Sequence, residues 1–290
     1  MKHKGLFLII FSMAILVLSA CGSSNSAQGA SDTDTSSEKW EEIQEAGEIV
    51  VGTSGTLIAA SYYPDESENE LTGYDVEVIK EVANRLDLEV SFEIMGIDSM
   101  LPAVNSGRID VAVNDIEVTD KRKEKFSFSD SYKYSYTTMV VRKDDYSGIN
   151  SLEDLDGKMH GGGATTIFSQ IAEHYGAETK TYGNAPNEAY LRDVHTGRTD
   201  VIVNDYYLSK FGVAAFPDFD IMLHPELKLH PTEQAVVMPK EADTLQMKMN
   251  EVLAEMREDG TLTELATDFY GEDASKRPEG DFIEIEGLDL

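Results

Sequence analysis

The sequence predicts an α/β fold of two lobes, and three observations support this prediction. The chain has 290 residues, which exceeds the length of about 250 residues at which a single hydrophobic core usually stops growing. Short apolar segments typical of buried strands alternate with helical patterns of apolar residues, which favours mainly parallel sheets covered by helices. A nine-residue motif also occurs twice, which indicates that the two lobes share one architecture.

The N-terminus has the pattern of an export signal. Lys2 and Lys4 precede a nearly unbroken apolar run, and small residues follow it up to Cys21. Because the run is shorter than the ~20 residues that a membrane span needs, residues 1–20 are predicted to be a signal peptide. Residues 21–39 are rich in Ser, Asp, Thr and Gly and predict a flexible tether, so the folded body is expected to begin near residue 40.

The first lobe is predicted to be discontinuous, over residues 40–137 and 236–290. Apolar runs predict strands at 49–51, 88–95 and 109–113. Helical spacing predicts a helix at 74–86, a short helix at 98–106 that begins on Asp98 as an acidic cap, and closing helices at 244–258 and 261–270. The remaining residues, 272–290, are expected to be an acidic tail with few packing side chains.

The second lobe is predicted over residues 138–235. Two β-rich stretches, 136–142 and 234–238, are expected to be hinge strands that carry the chain between the lobes. Within the lobe a glycine-rich turn at 161–163 leads into a helix at Thr165 and Thr166, and further helical and strand patterns follow.

The repeated motif lies at residues 107–115 and 197–205, and seven of its nine positions are identical. In each copy a glycine suited to a helix C-cap precedes an apolar strand that ends in Asn-Asp. Ligands of open α/β sheets bind beyond the carboxyl ends of the strands, so Asp115 and Asp205 are expected to face a cleft between the lobes. The alternative is that the motif only marks the end of a helix and the start of a strand, and has no role in binding.

Composition excludes several classes of protein. Lys and Arg total 24 against 54 Asp and Glu, and the formal net charge of -30 would repel nucleic acid phosphates. The 41% hydrophobic content is globular rather than that of a polytopic membrane protein. A single Cys permits no internal disulfide and no Cys-x-x-Cys metal site. We therefore expect no nucleic acid partner.

Few motifs carry chemistry. Thr119 is a plausible N-cap that places Arg122 near a strand end, where a guanidinium can hold a carboxylate with two parallel hydrogen bonds; the alternative is a surface arginine in a basic run. The glycine turn before Thr165 and Thr166 favours the binding of an anion, and a carboxylate fits better than a phosphate; the alternative is that the turn is only a helix start.

No zinc motif or Gly-x-Ser-x-Gly elbow occurs, so the sequence predicts no metal, cofactor or catalytic residue. Several tyrosines are candidates to line a cleft: Tyr62, Tyr63, Tyr132, Tyr134 and Tyr136.

These residues carry a resemblance to a known family. From Gly47 to about Tyr270 the chain resembles a solute-binding protein of the polar amino-acid ABC transporter family, which has the two-lobed periplasmic-binding type II fold. The Leu-Ser-Ala-Cys stretch at 18–21 is similar to a lipobox, in which the cysteine is lipidated. The other matching segments are 47–53, 71–77, 101–111, 118–123, 126–130 and 260–262.

The resemblance implies a non-enzymatic, monomeric clamp that closes on one amino acid and delivers it to a membrane permease and ATPase. Cys21 would anchor the protein to the cell membrane on its extracytoplasmic side. By the family pattern, Arg122 would hold the ligand α-carboxylate, assisted by Thr165 and Thr166, and Asp205 would hold the α-ammonium group.

The chain departs from the family pattern at four positions. Leu57 and Ile97 stand where the family usually has aromatic residues, which predicts that a stacking surface is missing. Asp115 and Glu117 stand where the family favours Gly, Ser or Thr. With Asp205 they give three carboxylates against one arginine, and burying such charge unpaired costs several kcal/mol.

The excess of carboxylates predicts a ligand with an additional cationic group, or cystine, which has two ammonium groups. Alternatively, one acid is protonated, turned towards the surface or paired with a nearby lysine. A different function, a dehydratase-like enzyme on the same scaffold, would use Asp115 and Glu117 as general acid and base.

Overall fold

The structure, a computed structural model, describes residues 35–64 and 70–288. The predicted signal peptide, Cys21 and residues 21–34 of the predicted tether lie outside these residues. The first described helix begins at Thr35, so helical structure starts before residue 40, where the folded body was expected to begin. Among the described residues, no helix combines the length and the apolar character that a membrane crossing requires.

The helices and strands alternate along most of the chain. Helices span Thr35–Ala46 (α1), Tyr74–Arg85 (α2), Ile97–Asn105 (α3), Asp120–Lys123 (α4), Ile167–His174 (α5), Asn187–His195 (α6), Tyr206–Ala215 (α7), Asp243–Glu258 (α8) and Thr261–Tyr270 (α9). Strands span Glu48–Thr53 (β1), Thr56–Leu57 (β2), Ser61–Tyr62 (β3), Glu89–Ile94 (β4), Val111–Ala112 (β5), Phe126–Phe128 (β6), Lys133–Arg142 (β7), Met159–Gly162 (β8), Glu178–Thr181 (β9), Ile202–Asp205 (β10), Ile221–Leu223 (β11), Leu229–Gln234 (β12) and Val237–Pro239 (β13).

The first lobe is built on a sheet of strand order β4-β1-β5-β13-β6. β1 is parallel to both β4 and β5, whereas β13 is antiparallel to β5 and β6. Every strand of this sheet except β13 therefore points in the same direction. β13 is also the strand with which the chain returns from the second lobe.

The second lobe repeats this arrangement. β7 is antiparallel to β10, β11 and β12, and β8 is parallel to β9. A parallel bridge joins His160 of β8 to Val201, directly before β10. The order is thus β9-β8-β10-β7-β11, with β7 as the strand of opposite direction. This confirms the predicted α/β fold with mainly parallel sheets, and both lobes have the same topology.

The two copies of the repeated motif have equivalent contacts. The carboxylate of Asp110 accepts a hydrogen bond of 2.8 Å from the backbone N–H of Val50 in β1. In the second lobe the carboxylate of Asp200 accepts one of 3.0 Å from the N–H of Met159, the first residue of β8. Each aspartate therefore fixes the strand of the motif to the central strand beside it, which explains why both copies of the motif contain this residue.

Each lobe has its own hydrophobic core. In the first, the buried face of α2 packs with α8 and α9 over β1, as its helical spacing predicted, through residues such as Val78, Ile79 and Val82. In the second, Met139 and Val141 of β7 pack against Ile171 of α5. Each lobe has a second hydrophobic cluster as well, and Tyr207 of α7 joins the core of the first lobe from the second.

Three local predictions are wrong. Asp98 does not cap α3, which begins at Ile97 after Gly96 and has no side-chain cap. The glycines at 161 and 162 belong to strand β8 rather than to a turn, and α5 begins only at Ile167 with Thr166 as its N-cap. The return stretch at 234–238 is divided between β12 and β13.

The C-terminal residues also differ from the expected tail, because they pack on both lobes. Ala274 is fully buried in the first core, and its carbonyl accepts a hydrogen bond of 2.8 Å from the N–H of Tyr134. Further along, Ile283 forms a parallel bridge with Leu229 of the second lobe, and Ile285 and Leu288 pack against its core. The segment after α9 is therefore a strap along one side of the molecule.

Candidate functional site

A cavity lies between the lobes, at the carboxyl ends of the central strands; we call it the interlobe cavity. The first lobe lines it with residues that follow β1, β5 and their neighbours: Ser54, Thr56, Leu57, Ile97, Asn114, Asp115 and Glu117. The second lobe contributes residues 161–163, Thr166, Phe168, residues 182–185, Tyr190, residues 202–204 and Leu208. The cavity is where the rule for open α/β sheets places a ligand.

Of the eight ligand-binding residues predicted from the sequence, five line this cavity: Leu57, Ile97, Asp115, Glu117 and Thr166. The other three do not. Arg122 and Thr165 line a neighbouring groove between the lobes, and Asp205 is fully buried behind the cavity wall. The structure thus brings the predicted residues to one region but divides them between the cavity and its surroundings.

Arg122 is already paired with a carboxylate of the protein. Its Nη1 donates to the Oε2 of Glu117 at 2.8 Å and to the Glu117 carbonyl at 2.7 Å, and its Nη2 donates to the Thr165 carbonyl of the second lobe at 3.2 Å. Only 9% of the Arg122 side chain and 5% of that of Glu117 are exposed. Thr119 is the N-cap of α4, as predicted, and accepts from the Arg122 N–H.

Burial governs the protonation of Glu117. Loss of solvent raises the pKa of this carboxyl, although the Arg122 guanidinium opposes the shift. A raised pKa means that the charged form depends on its arginine partner. The pair is therefore a unit, in which neither charge is stable without a substitute for the other.

Lys133 is a second buried cation of the site and was not predicted from the sequence. It is the first residue of β7 and is fully buried, with its Nζ 3.0 Å from Oδ1 of Asp205 and in hydrogen-bond contact with Oδ1 of Asp115. The rings of Tyr207 and Tyr270 lie 5.5 and 5.3 Å from the same nitrogen, within cation–π range. Of the alternatives that the sequence left open for the excess acids, the structure therefore has the one in which they are paired with a nearby lysine.

The cation is held firmly by its surroundings. Burial alone would lower the pKa of Lys133, but the charges of Asp115, Asp205 and Asp75 outweigh burial and raise it above the ordinary value of a lysine. Lys133 is thus charged at any physiological pH. We refer to Lys133 with these three aspartates as the Lys133 cluster.

The third aspartate of the cluster, Asp75, lies in the first turn of α2 and is fully buried. It accepts a hydrogen bond from the backbone N–H of Asp115. Burial raises the pKa of Asp75 to about 6 despite the opposing charge of Lys133. Burial, followed by the charge of Asp205, raises the pKa of Asp115 well above its usual range.

The cluster has more acceptors than donors. Among the described residues, Oδ2 of Asp115 and Oδ2 of Asp205 have no hydrogen-bond partner, whereas Asp75 has the hydroxyl group of Tyr132 beside it. Together with Glu117, the site places four buried carboxylates against two buried cations, Lys133 and Arg122. Of the three aspartates only Asp115 lines the interlobe cavity, and because buried polar atoms are nearly always paired, its free oxygen marks a place that can receive a donor from a ligand.

The start of α5 also binds a carboxylate of the protein. The Asp98 carboxylate of the first lobe accepts from the N–H of Thr165 at 2.9 Å, from its Oγ1 at 2.8 Å and from the N–H of Ala164 at 3.3 Å. A second contact between the lobes joins Nδ2 of Asn184 to the Ser54 carbonyl at 3.3 Å. The segment that was expected to bind a ligand carboxylate therefore binds one, and this carboxylate joins the two lobes.

Aromatic side chains reach the cavity from the second lobe. Phe168, Tyr182 and Tyr190 line it, and the two tyrosine rings pack edge to face with centroids 5.6 Å apart. The predicted lack of a stacking surface, inferred from Leu57 and Ile97, therefore does not hold for the cavity as a whole. Tyr182 directly follows β9, so the position of strand ends in the sequence could have identified it.

The tyrosines proposed from the sequence lie elsewhere. None of the five lines the interlobe cavity. Tyr132 is fully buried beside Tyr74 in the first core, and Tyr136 stacks on Tyr206 with ring centroids 4.6 Å apart.

Comparison with known proteins assigns the chain to a family. Residues 49–272 match the bacterial extracellular solute-binding proteins, family 3. The probable ABC transporter extracellular-binding protein YckB of Bacillus subtilis is 50% identical over 287 residues, which cover 98% of each chain. Its crystal structure superposes with a TM-score of 0.68 over 85% of this chain and 99% of that one.

Two further similar proteins have named ligands. The L-cystine-binding protein TcyA of Bacillus subtilis is 34% identical over 273 residues, covering 94% of this chain and 99% of that protein. An ancestral arginine-binding protein bound to arginine is 30% identical, with a TM-score of 0.70 over 78% of this chain and 99% of that one. With its two-lobed fold and interlobe cavity, the chain belongs to the bacterial extracellular solute-binding proteins, family 3.

Proposed function

We propose that the chain is the extracytoplasmic solute-binding component of an ABC importer and captures a polar amino acid that carries more than one cationic group. The lobes close on the ligand in the interlobe cavity, and the closed form delivers it to the membrane permease and ATPase. Cystine or a cationic amino acid such as arginine fits this description. The observation that carries the proposal is the set of buried acidic side chains at the cavity: Asp115 and Glu117 line it, and Asp205 shares Lys133 with Asp115.

The ammonium groups of the ligand are assigned to the Lys133 cluster and Glu117. Asp115 lines the cavity, and its Oδ2 has no partner among the described residues. Asp205 lies behind it with a second unpartnered oxygen, so its charge adds to the attraction for an α-ammonium group. Lys133 compensates only part of the negative charge of these carboxylates, and a cationic group of the ligand compensates more of it.

The ligand carboxylate is assigned to Arg122, with Thr165 and Thr166 beside it. Arg122 contacts both lobes, through Glu117 and through the Thr165 carbonyl. A carboxylate bound there would therefore favour the closed arrangement of the lobes. The remaining apolar and aromatic lining, with Leu57, Ile97 and Tyr190, suits an aliphatic or disulfide-containing chain.

Two of the similar proteins support this ligand class. One is named for L-cystine and one is bound to arginine, and both ligands have two cationic groups where a neutral amino acid has one. The family as a whole supports an extracytoplasmic location.

A ligand screen tests the proposal. Thermal unfolding of the purified protein is measured with L-cystine, L-arginine, L-lysine, L-leucine and L-glutamate at millimolar concentration. A ligand at 100 times its dissociation constant stabilises the folded state by about 2.7 kcal/mol, which corresponds to about 5–10 °C for a chain of this size. We expect this shift with L-cystine or a cationic amino acid. The proposal fails if none of the amino acids shifts the unfolding temperature.

We also propose that Cys21 is lipidated and anchors the protein to the outer face of the cell membrane after residues 1–20 are removed. The sequence around Cys21 supports this, because small residues follow the short apolar run. Metabolic labelling with radioactive palmitate should label the wild-type protein and not Cys21→Ala, which should be released into the medium. Equal labelling of both proteins would exclude this anchor.

The alternative of a dehydratase-like enzyme would need a carboxyl of raised pKa free to transfer a proton. Asp115 and Glu117 do have raised pKa values, but each is held by a buried cation, Lys133 or Arg122. The arrangement therefore favours binding over proton transfer. Product formation that is lost in Glu117→Gln would support the enzyme instead.

A further inference from the structure

The positions assigned to the ligand carboxylate are filled in the structure by carboxylates of the protein. Glu117 is paired with the guanidinium group of Arg122, and Asp98 accepts hydrogen bonds from the N–H and hydroxyl groups of Thr165, before the start of α5. Asp98 is only partly buried and does not line the interlobe cavity, whereas Glu117 is enclosed and does. Glu117 is therefore the residue that a ligand in the cavity must meet.

We propose that Glu117 is an internal competitor for Arg122 and a specificity-determining residue. An incoming ligand carboxylate takes Arg122 from Glu117, and a second cationic group of the same ligand takes over the displaced Glu117 carboxylate. Ligand binding is thus an exchange of salt bridges, and an amino acid without an additional cationic group is rejected. The inference rests on the proposed function, because it assumes an amino-acid ligand in this cavity.

The contacts of Arg122 allow such an exchange. Nη1 makes both bonds to Glu117, one to the carboxylate and one to the carbonyl, while Nη2 makes a single longer bond of 3.2 Å to the Thr165 carbonyl. A ligand carboxylate can approach the Nη groups in the two-pronged geometry that guanidinium groups prefer. The bond to the Glu117 carbonyl can remain while the carboxylate leaves.

The backbone of Glu117 is fixed, so only its side chain has to move. Glu117 forms an antiparallel bridge with Gln234, and the N–H of Val118 next to it donates to the Glu233 carbonyl at 2.8 Å. Both partners belong to β12. Rotation of the side chain away from Arg122 moves the carboxylate along the cavity wall without disturbing the crossing between the lobes.

Charge explains why the exchange selects the ligand. Glu117 and Arg122 are both almost completely enclosed, and an enclosed charge without a partner is strongly unfavourable. A ligand with one carboxylate and one ammonium group satisfies Arg122 and the Lys133 cluster but leaves Glu117 unpaired. A ligand with a further cationic group, such as the guanidinium group of arginine or the second ammonium group of cystine, also supplies a partner for Glu117, although the second carboxylate of cystine then needs a donor of its own.

The test compares Glu117→Gln with the wild-type protein by isothermal titration with L-arginine, L-cystine and L-alanine. Glutamine keeps the size of the side chain but removes the charge, so it competes for Arg122 only as a neutral acceptor and needs no cation. We expect Glu117→Gln to bind L-alanine about tenfold more tightly than the wild type does. The ratio of its affinity for L-arginine or L-cystine to its affinity for L-alanine should fall about tenfold.

A matched control is Glu93→Gln, because Glu93 also pairs with an arginine, Arg108, but on the surface. It should leave all affinities unchanged. If the wild type binds none of the three amino acids, the proposed function fails. If the wild type binds one of them and Glu117→Gln retains the same preference, only the present inference is overturned.

A second measurement remains decisive if Glu117→Gln does not fold. A crystal structure of the wild-type protein with whichever of the three amino acids binds should show the ligand carboxylate on Arg122 and the Glu117 carboxylate on a cationic group of the ligand. A Glu117 carboxylate that still contacts Arg122 beside the bound ligand would overturn the proposal.

Discussion

The ammonium group of Lys133 lies 3.0 Å from the carboxylate of Asp205, and neither side chain is accessible to solvent. The two residues come from neighbouring antiparallel strands, since Lys133 begins β7 and Asp205 ends β10. Asp205 also accepts from the N–H of Leu208 at 3.0 Å and so caps α7. One buried contact thus links a crossing strand, a strand end and a helix start.

Replacement of Lys133 by methionine should destabilise the protein strongly. Methionine has a similar length, but Asp115 and Asp205 would lose their buried partner, and removing one member of a buried pair costs about 3–5 kcal/mol. We expect the free energy of unfolding at pH 7, measured by urea denaturation, to fall by this amount. Lys210→Met is the control, because Lys210 pairs with Glu272 at the surface and should lose at most about 1 kcal/mol. Equal losses in the two variants would contradict the prediction.

The raised pKa of Asp75 predicts a pH dependence of stability. Because the folded-state pKa, about 6, exceeds the ordinary value of about 3.9, the folded protein binds a proton between pH 4 and 6 that the unfolded chain has released. The free energy of unfolding should therefore contain a contribution that falls as the pH rises through this window. Asp75→Asn should remove this slope and stabilise the protein at pH 7 by on the order of 1–3 kcal/mol.

Urea denaturation at several pH values between 4 and 7 measures the effect of Asp75. Asp144→Asn, an exposed position, is the control and should leave the slope unchanged. An identical slope in Asp75→Asn and the wild type would show that Asp75 does not titrate in this window.

The lowered pKa of His160 predicts a pH dependence of stability that has the opposite sign. Burial lowers its pKa to about 4, and the neutral ring accepts from the Val203 N–H and contacts Oγ of Ser169. Between pH 6.5 and 4 the unfolded chain therefore binds a proton that the folded protein does not, so stability falls as the pH falls. His160→Gln should remove this loss, whatever its effect at pH 7. A loss that persists in His160→Gln would assign it to another group.

Replacement of Arg122 by alanine should weaken ligand binding by at least about tenfold, or roughly 1.4 kcal/mol, because the ligand carboxylate loses its partner. Titration with the amino acid found in the screen measures the change. Lys121→Ala, an exposed neighbour in the same short helix, should bind normally. A loss of less than tenfold in Arg122→Ala would rule out the carboxylate assignment.

Removal of the Asp98 carboxylate should loosen the contact between the lobes. Asp98→Ala loses the hydrogen bonds to Ala164 and Thr165, so the open arrangement should become more populated. Small-angle X-ray scattering should show a larger radius of gyration without ligand and recovery of the wild-type value with it. Glu93→Gln is again the control. An unchanged radius would mean that other contacts hold the lobes together.

Much of the fold could be predicted because local signals determined it. The apolar spacing at 74–86 corresponds to α2 at Tyr74–Arg85, and the pattern at 261–270 corresponds to α9 without change. Glycines of positive φ, 88° at Gly260 and 70° at Gly271, flank α9, and such glycines are visible in a sequence. The strand ends likewise located the cavity.

The pairing of charges within the site could not be predicted in the same way. Lys133 stands at the start of a strand pattern, where a lysine is normally exposed, and its partners lie far away in the sequence. An acidic residue near the start of a helix has the same appearance whether it caps that helix or, as Asp98 does, contacts another lobe. Such contacts depend on how the lobes meet, which one-dimensional periodicity does not encode.

The position of the two reversed strands has a mechanical consequence. β13 and β7 lie inside their sheets, each between two other strands, so a force applied at a crossing is distributed over the whole sheet rather than peeling an edge. The segments that join the sheets, 129–132 and 235–236, are short and hydrogen-bonded to each other, with the N–H of Ser129 3.0 Å from the Val236 carbonyl. We expect this double connection to resist twisting of one lobe against the other more than bending, so that closure is mainly a hinge motion.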